Sequence, residues 1–305
     1  VTSASSPLLT SLAPVVDIMR RHPAPRTAES EAHFTELIYR TCHGRQDVHA
    51  RAPARGHDEG LTRDFVARLS TANCGVGPEH DGWIVRLVEA DGRLGVERDG
   101  LMLWVDPQPG AEPGAGVRVR IPKEYRNLYP GHYVALGDAD RGDLRNPLRL
   151  YWHIGAEGAE ELVRRVSATF NRSRVPFLLK VLSSPAAYRR ADAAILYLPS
   201  RHCLEGPALL REVYHAMRPL LRPAVSTFVL AVAPGLGLAE DPPDSSSFGM
   251  HRSRLLATLL YDALEMTDPL EAVAAALEAA GYLPDRFHMN PDSVESYLRW
   301  HLDGD

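Results

Sequence analysis

The chain has 305 residues, 45% hydrophobic and 24% charged, with a formal net charge of −5, which allows one large core or two unequal ones and excludes a non-specific nucleic-acid binder, since that needs a clustered basic surface. The start, VTSASSPLLTSLAPVVDIMRR, has no basic leader, and the apolar stretch at 228–232 is far too short to span a bilayer, so the expectation is a cytoplasmic chain with no membrane partner. Three widely spaced cysteines, Cys42, Cys74 and Cys203, fit reduced thiols better than a disulfide framework.

Residues 8–42 read as helical, with Leu8, Leu9, Leu12, Val15, Val16 and Met19 at helical spacing and a second apolar face starting at Phe34. HPAPRT makes a turn between them. Residues 43–60, rich in Gly, Pro and Arg, read as a loop. A short helix over 61–70 leads into NCGVG. The segment WIVRLVEADGRLGVERDGLMLWVDP then predicts strands separated by Asp-Gly turns. VRVRIP, HYVALGD and LRLYWHI continue the strand pattern. An amphipathic helix over 157–170 turns Ala159, Leu162, Val163, Val166 and Phe170 inward. Strands PFLLKVL and AAILYLP follow, then a helix over 206–220. STFVLAVAP reads as a buried strand opening into a long loop, PGLGLAEDPPDSSSFG. A helix from about Ser247 and a helical C-terminus with an Asn-Pro break at 290–291 complete the chain. The class expected is α+β: a mixed-sheet core with a helical N-terminal region over 1–60, a main domain over 61–305, and a helical C-terminus.

Only Lys123 and Lys180 are lysine; every other basic side chain is arginine, apart from histidine. Arginine serves surface charge and anion binding, but it cannot lose its proton near neutral pH, whereas lysine can. Each lysine is therefore a candidate for chemistry closed to arginine. In Phe177-Leu178-Leu179-Lys180-Val181-Leu182, alternation puts Lys180 on one face with Leu178 and Leu182. Desolvation there favours the neutral amine, as a general base requires; a lysine snorkelling from a buried strand has the same pattern. In LRLYWHI, Arg149, Tyr151 and His153 take one face, and an imidazole at a strand end suits a general acid. Arg189 and Arg190 precede Asp192 at a loop-strand junction, where arginine meets phosphate well or simply pairs with Asp192. Ser245, Ser246 and Ser247 precede a helix carrying Arg252 and Arg254, a phosphate-site pattern in which the two arginines diverge; capping alone also explains the serines. Gly235-x-Gly237 lacks a dinucleotide fingerprint, and Cys42, His43 and His49 have no common zinc spacing.

Taken together, the segments NCGVG…GW, DGLMLWVDP, RIPKEYRNLYPGHYVALGD, RLYWHI, VPFLLKVLSSPAAYRRADAAILYL and APGLGLAEDPPDSSSFGMHRSRLLA resemble the HopA-like family. That family is named for a type III effector of plant pathogens, and its relatives occur in ribosomal-peptide biosynthesis of the lanthipeptide type. It is distantly similar to phosphothreonine lyases of the OspF and SpvC kind. The resemblance implies β-elimination of phosphate from phosphothreonine or phosphoserine, giving dehydrobutyrine or dehydroalanine. It makes Lys180 the base and His153 the acid. Arg190 becomes a phosphate ligand, with Arg252 or Arg254, Lys123 and Tyr197 assisting, while Tyr151 stands where a phosphate-binding lysine is expected. No cofactor or metal is implied. The implied partners are a phosphorylated precursor peptide and a separate aminoglycoside-phosphotransferase-like kinase, with the helical N-terminal region as a docking surface. The alternatives are an effector-like protein that binds a host protein without chemistry, and a peptide-binding partner that activates the kinase.

Overall fold

In the computed structural model, which describes residues 6–23, 25–49, 59–126, 128–140, 147–200, 206–244, 246–291 and 293, the first helices follow the apolar spacing of the sequence. Helix α1 (Pro7–Arg21) buries Leu8, Leu9, Leu12, Val15, Val16 and Met19. Helix α2 (Ala28–Ile38) starts at a capping box between Thr27 and Ser30 and runs straight into a π-helical turn, Tyr39–His43. Helix α3 (Glu59–Ala72) turns Phe65 and Leu69 into the core. Of the expected loop at 43–60, positions 50–58 lie outside the described residues, as do Cys203, Ser245 and the end of the chain from 294.

Two antiparallel sheets follow. The smaller joins β1 (Glu79–Val88), β2 (Leu94–Arg98), β3 (Leu101–Val105) and β4 (Gly116–Arg120) in the order β3-β2-β1-β4, with its own core of Trp83, Val85, Leu94, Val96 and Val119. Asp99-Gly100 forms the β2–β3 turn, both residues at positive φ, as the Asp-Gly signal requires. The sheet's two ends meet, because Ile121 N–H donates to the Pro78 carbonyl at 2.9 Å.

The larger sheet holds seven strands: β5 (Glu124–Tyr125), β6 (His132–Leu136), β7 (Leu148–Trp152), β8 (Leu178–Leu182), β9 (Ala194–Leu198), β10 (Leu230–Ala233) and β11 (Leu236–Glu240). Their order is β10-β11-β7-β9-β8-β6-β5, and every neighbouring pair is antiparallel. One face packs Leu150, Trp152, Leu179, Val181, Leu196 and Leu198 against α3, α4 (Ala156–Arg172) and α5 (Gly206–Met217). The other face lies under α1, α2, α6 (Phe248–Ala263) and α7 (Pro269–Ala279), which share one apolar core with Tyr151 and Ala239 of the sheet. Coverage on both faces explains why LLKVL and AILYL read as nearly continuous apolar runs.

One expected segment is corrected. STFVLAVAP forms only the short edge strand β10, with Ala231 exposed, and the supposed long loop contains β11, fully buried beside β7. Gly235, at φ +77°, makes the tight β10–β11 turn, and Gly237 is required because Val229 Cγ2 would lie 2.2 Å from any Cβ there. Two glycines in a strand mask its β character, and here close packing is their reason.

Candidate functional site

Where the helical layer over the second face ends, a cavity of about 490 Å³ opens on the larger sheet. Its floor comes from three adjacent strands in register. Lys180 faces Ile195, which faces Tyr151; Leu178 faces Tyr197, which faces Arg149. All six side chains line the cavity, joined by His132, Asp192 and Asp241 from strand ends and loops. The π turn lowers Tyr39 and His43 into one wall, Ser246 and Ser247 ahead of α6 make another, and Tyr129 stands at the mouth. A π turn re-aims side chains that regular α-helix would carry elsewhere.

The cavity's cations are held differently from one another. Arg190 is clamped to Asp192, with Nε to Oδ1 at 2.5 Å and a second hydrogen bond to Oδ2. The Tyr39 hydroxyl donates to the same Oδ2 at 2.7 Å, and His43 Nε2 lies 3.6 Å from it. Burial opposes ionisation of Asp192, but Arg190, His43 and the Tyr39 hydrogen bond outweigh it and hold the carboxyl well below the usual range. Arg149 donates from Nε to Asp241 at 2.5 Å and to the Ser246 carbonyl at 2.9 Å, and its guanidinium lies 5.3 Å from the Tyr197 ring centre. Lys180 has no such carboxylate. Among the described residues no hydrogen bond or ion pair engages its ammonium, whose recorded contact is the Tyr129 ring, 5.1 Å away. Burial first, then Arg149 and Arg190, lower its pKa against the opposing pull of Asp192.

The two imidazoles of the cavity are neutral near pH 7. Burial pushes both His43 and His132 down to about 4; Lys180 adds to the effect at His132. His132 Nδ1 lies 2.9 Å from the Pro130 carbonyl, so its neutral ring carries the proton there and leaves Nε2 as an acceptor. The Tyr197 hydroxyl is a donor without a hydrogen-bonded partner among the described residues, and burial keeps it protonated by raising its pKa. Among the described residues, no group of three or more His, Cys, Asp or Glu converges as a metal site.

Of the residues singled out in the sequence, Lys180, Arg190, Tyr197 and Tyr151 come together in this cavity, with Ser246 and Ser247 in its wall. Four do not. His153 follows the end of β7, and its Nδ1 meets the Ala224 carbonyl at 2.7 Å, outside the cavity lining. Arg252 is fully buried in the helical layer, bonded to the Phe287 and Met289 carbonyls and to Asn290 and flanked by Phe248, Tyr282 and Phe287. Arg254 is exposed. Lys123 Nζ donates to the Ser70 and Asn73 carbonyls at 3.2 and 2.8 Å, tying α3 to the sheet. Arg149, His132, Tyr39, Tyr129 and Asp241 are among the lining residues that received no role from the sequence, and Asp192 was read only as a partner for Arg190. Arg149 carried a usable signal: it shares the polar face of β7 with Tyr151.

The model of the HopA1 effector protein family matches residues 124–289, more than half of the chain. The protein belongs to that family. The match begins at β5, just after the smaller sheet, and takes in the whole cavity floor. Two solved structures have a similar fold. One is an effector protein from Pseudomonas syringae pv. tomato strain DC3000, with a TM-score of 0.52 and 16% identity, covering 92% of this chain and 97% of that one. The other is an effector protein from Pseudomonas syringae pv. syringae strain 61, with a TM-score of 0.50 and 16% identity, covering 92% and 96%. No curated protein matches the sequence. Among the described residues, no helix of this HopA1-family chain is long and apolar enough to cross a membrane.

Proposed function

We propose that this HopA1-family protein is a phosphothreonine or phosphoserine lyase, with Lys180 as its base. The observation that carries the reading is the state of Lys180: half-buried, without a carboxylate partner, and with its pKa lowered by burial and by two neighbouring guanidiniums. A lysine so held supplies a neutral amine nearer to neutral pH than a solvated one does. Arg149 and Arg190, with the chain ahead of α6, offer donors to a phosphate entering the same cavity.

In this reaction Lys180 removes the α-proton of the phosphorylated residue. The released electron pair forms the Cα–Cβ double bond as the Cβ–O bond breaks. Tyr197 donates a hydrogen bond to the departing oxygen, and the proton taken by Lys180 leaves with the phosphate. Tyr197 takes the role that the sequence gave to His153, because it lines the cavity with a free hydroxyl. The substrate in this reading is a precursor peptide phosphorylated by a separate kinase, and the product is its dehydrobutyrine or dehydroalanine form.

The test is mass spectrometry of a phosphothreonine peptide incubated with wild type and with Lys180→Ala. Loss of phosphoric acid with wild type alone is the expected result. If wild type eliminates nothing, even from a leader-bearing peptide phosphorylated by its kinase, the reading falls and an effector that binds without chemistry replaces it.

A further inference from the structure

In the connection between β5 and β6, Leu128, Tyr129, Pro130 and Gly131 are all exposed. The Tyr129 ring nevertheless turns back over the cavity, with its centre 5.1 Å from Lys180 Nζ. Its hydroxyl has no hydrogen-bond partner among the described residues, so no polar contact of its own fixes the ring there. The same ring borders a second depression, of about 970 Å³, which shares Tyr129, His132 and Arg190 with the cavity. It therefore stands between the two and has room to move outward. The other groups facing Lys180 are engaged elsewhere. Arg149 on β7 is held by Asp241, and Arg190 ahead of β9 by Asp192. Tyr39 and His43 of the π turn attend the same Asp192, and His132 on β6 meets the Pro130 carbonyl. Burial keeps Tyr151 and Tyr197 protonated. None of these groups makes a hydrogen bond or ion pair with Nζ, which leaves the Tyr129 ring as its recorded contact among the described residues. An aromatic face attracts a cation and has no such hold on a neutral amine. The contact thus favours the charged lysine, against the burial and the guanidiniums that disfavour it.

We infer that Tyr129 is a positioning residue for the elimination: its ring covers and holds the Lys180 ammonium until the phosphorylated residue enters, then swings into the adjoining depression. The inference rests on the lyase reading for the reaction that Lys180 serves, while the hold of the ring on the ammonium stands apart from it. To meet Nζ, the α-hydrogen of the substrate needs the space that the ring covers. Once the ring has left, Lys180 keeps its burial and its neighbouring guanidiniums and loses the contact that favours its charge. Tyr129 therefore acts on the ionisation of the base in the free protein and has no part in it in the complex.

Trace acetylation with acetic anhydride reads the neutral fraction of a lysine, and Lys123, the other lysine of the chain, serves as internal standard. Acetylation of Lys180 is followed by mass spectrometry from pH 7 to 11. Tyr129→Leu keeps apolar bulk without a π face. Its midpoint should lie about half a pH unit below that of wild type, with about threefold faster acetylation at pH 8. Tyr129→Phe keeps the face and should match wild type. An unchanged midpoint in Tyr129→Leu would overturn the inference even if the plateau rises, since the plateau reports access alone. The elimination assay tests the swing. There the pH profile of kcat/KM reports the free protein and that of kcat the complex. Tyr129→Leu should move the first profile down by the same amount and leave the second in place. Equal movement of both would show that the ring stays on the lysine in the complex, and would overturn the swing. Absence of elimination in wild type would count against the lyase reading, while acetylation would still decide the hold of the ring on Lys180.

Discussion

For the elimination proposed here, the decisive property of Lys180 is the ability to give up a proton. Lys180→Arg keeps a cation in the cavity but cannot provide a neutral base. Both Lys180→Arg and Lys180→Ala should lower elimination by roughly a thousandfold. In wild type the rate should climb with pH as the amine is deprotonated, and the climb should lie below the range of a solvated lysine because the pKa is lowered; a pH–rate profile checks both. Asp192 is a structural counterpart. Its carboxylate is buried and clamped by Arg190, Tyr39 and His43, so Asp192→Asn should cost about 3 kcal/mol in urea denaturation by leaving Arg190 short of its counter-charge. The lysine was legible in the sequence because it is one of two in an arginine-rich chain and sits in a strand with clear alternation. Asp192 was visible only as a neighbour of Arg190. Nothing local said that residues 39 and 43 would close over it from another part of the chain.

Among the elements, the strands that read cleanly were those with apolar runs or Asp-Gly turns; the two-residue β5 was not read, and neither was β11, whose glycines answer to Val229 and to the turn at Gly235. Such packing reasons are long-range and leave no periodicity to read. The π turn was illegible for a similar reason: Tyr39–His43 continues the apolar face of α2, so the extra residue per turn becomes visible only through what its side chains reach. The smaller sheet has its own core, and its ends are hydrogen-bonded together at Pro78 and Ile121. A chain in which a short Gly-Ser linker replaces residues 79–120 should therefore keep the larger sheet and its cavity. Near-native far-UV dichroism per residue and a cooperative melt would be the expected outcome, with elimination from a minimal phosphothreonine substrate retained; a non-cooperative melt would show that the smaller sheet is needed for folding.

For the molecule as a whole, buried histidines set the acid limit. His43, His132 and His288 are all held down to about 4 by burial. As pH falls below about 6.5, the unfolded chain takes up protons that the folded chain refuses, so stability is full above that point and declines towards pH 4. The contribution of Asp192 lies lower still, because its carboxyl remains ionised until strongly acid pH. Urea midpoints measured from pH 7.5 to 4 should fall throughout the lower part of that window, and His132→Gln should flatten part of the fall. The same pairing of charges bears on turnover. In the cavity lining, Arg149 is matched by Asp241 and Arg190 by Asp192, which leaves Lys180 to decide whether the pocket is cationic or electrically balanced. With the amine neutral, an incoming dianion meets donors without a surplus of positive charge. In the elimination proposed above, inorganic phosphate set free there would therefore not be electrostatically trapped, and the pocket would let its product go.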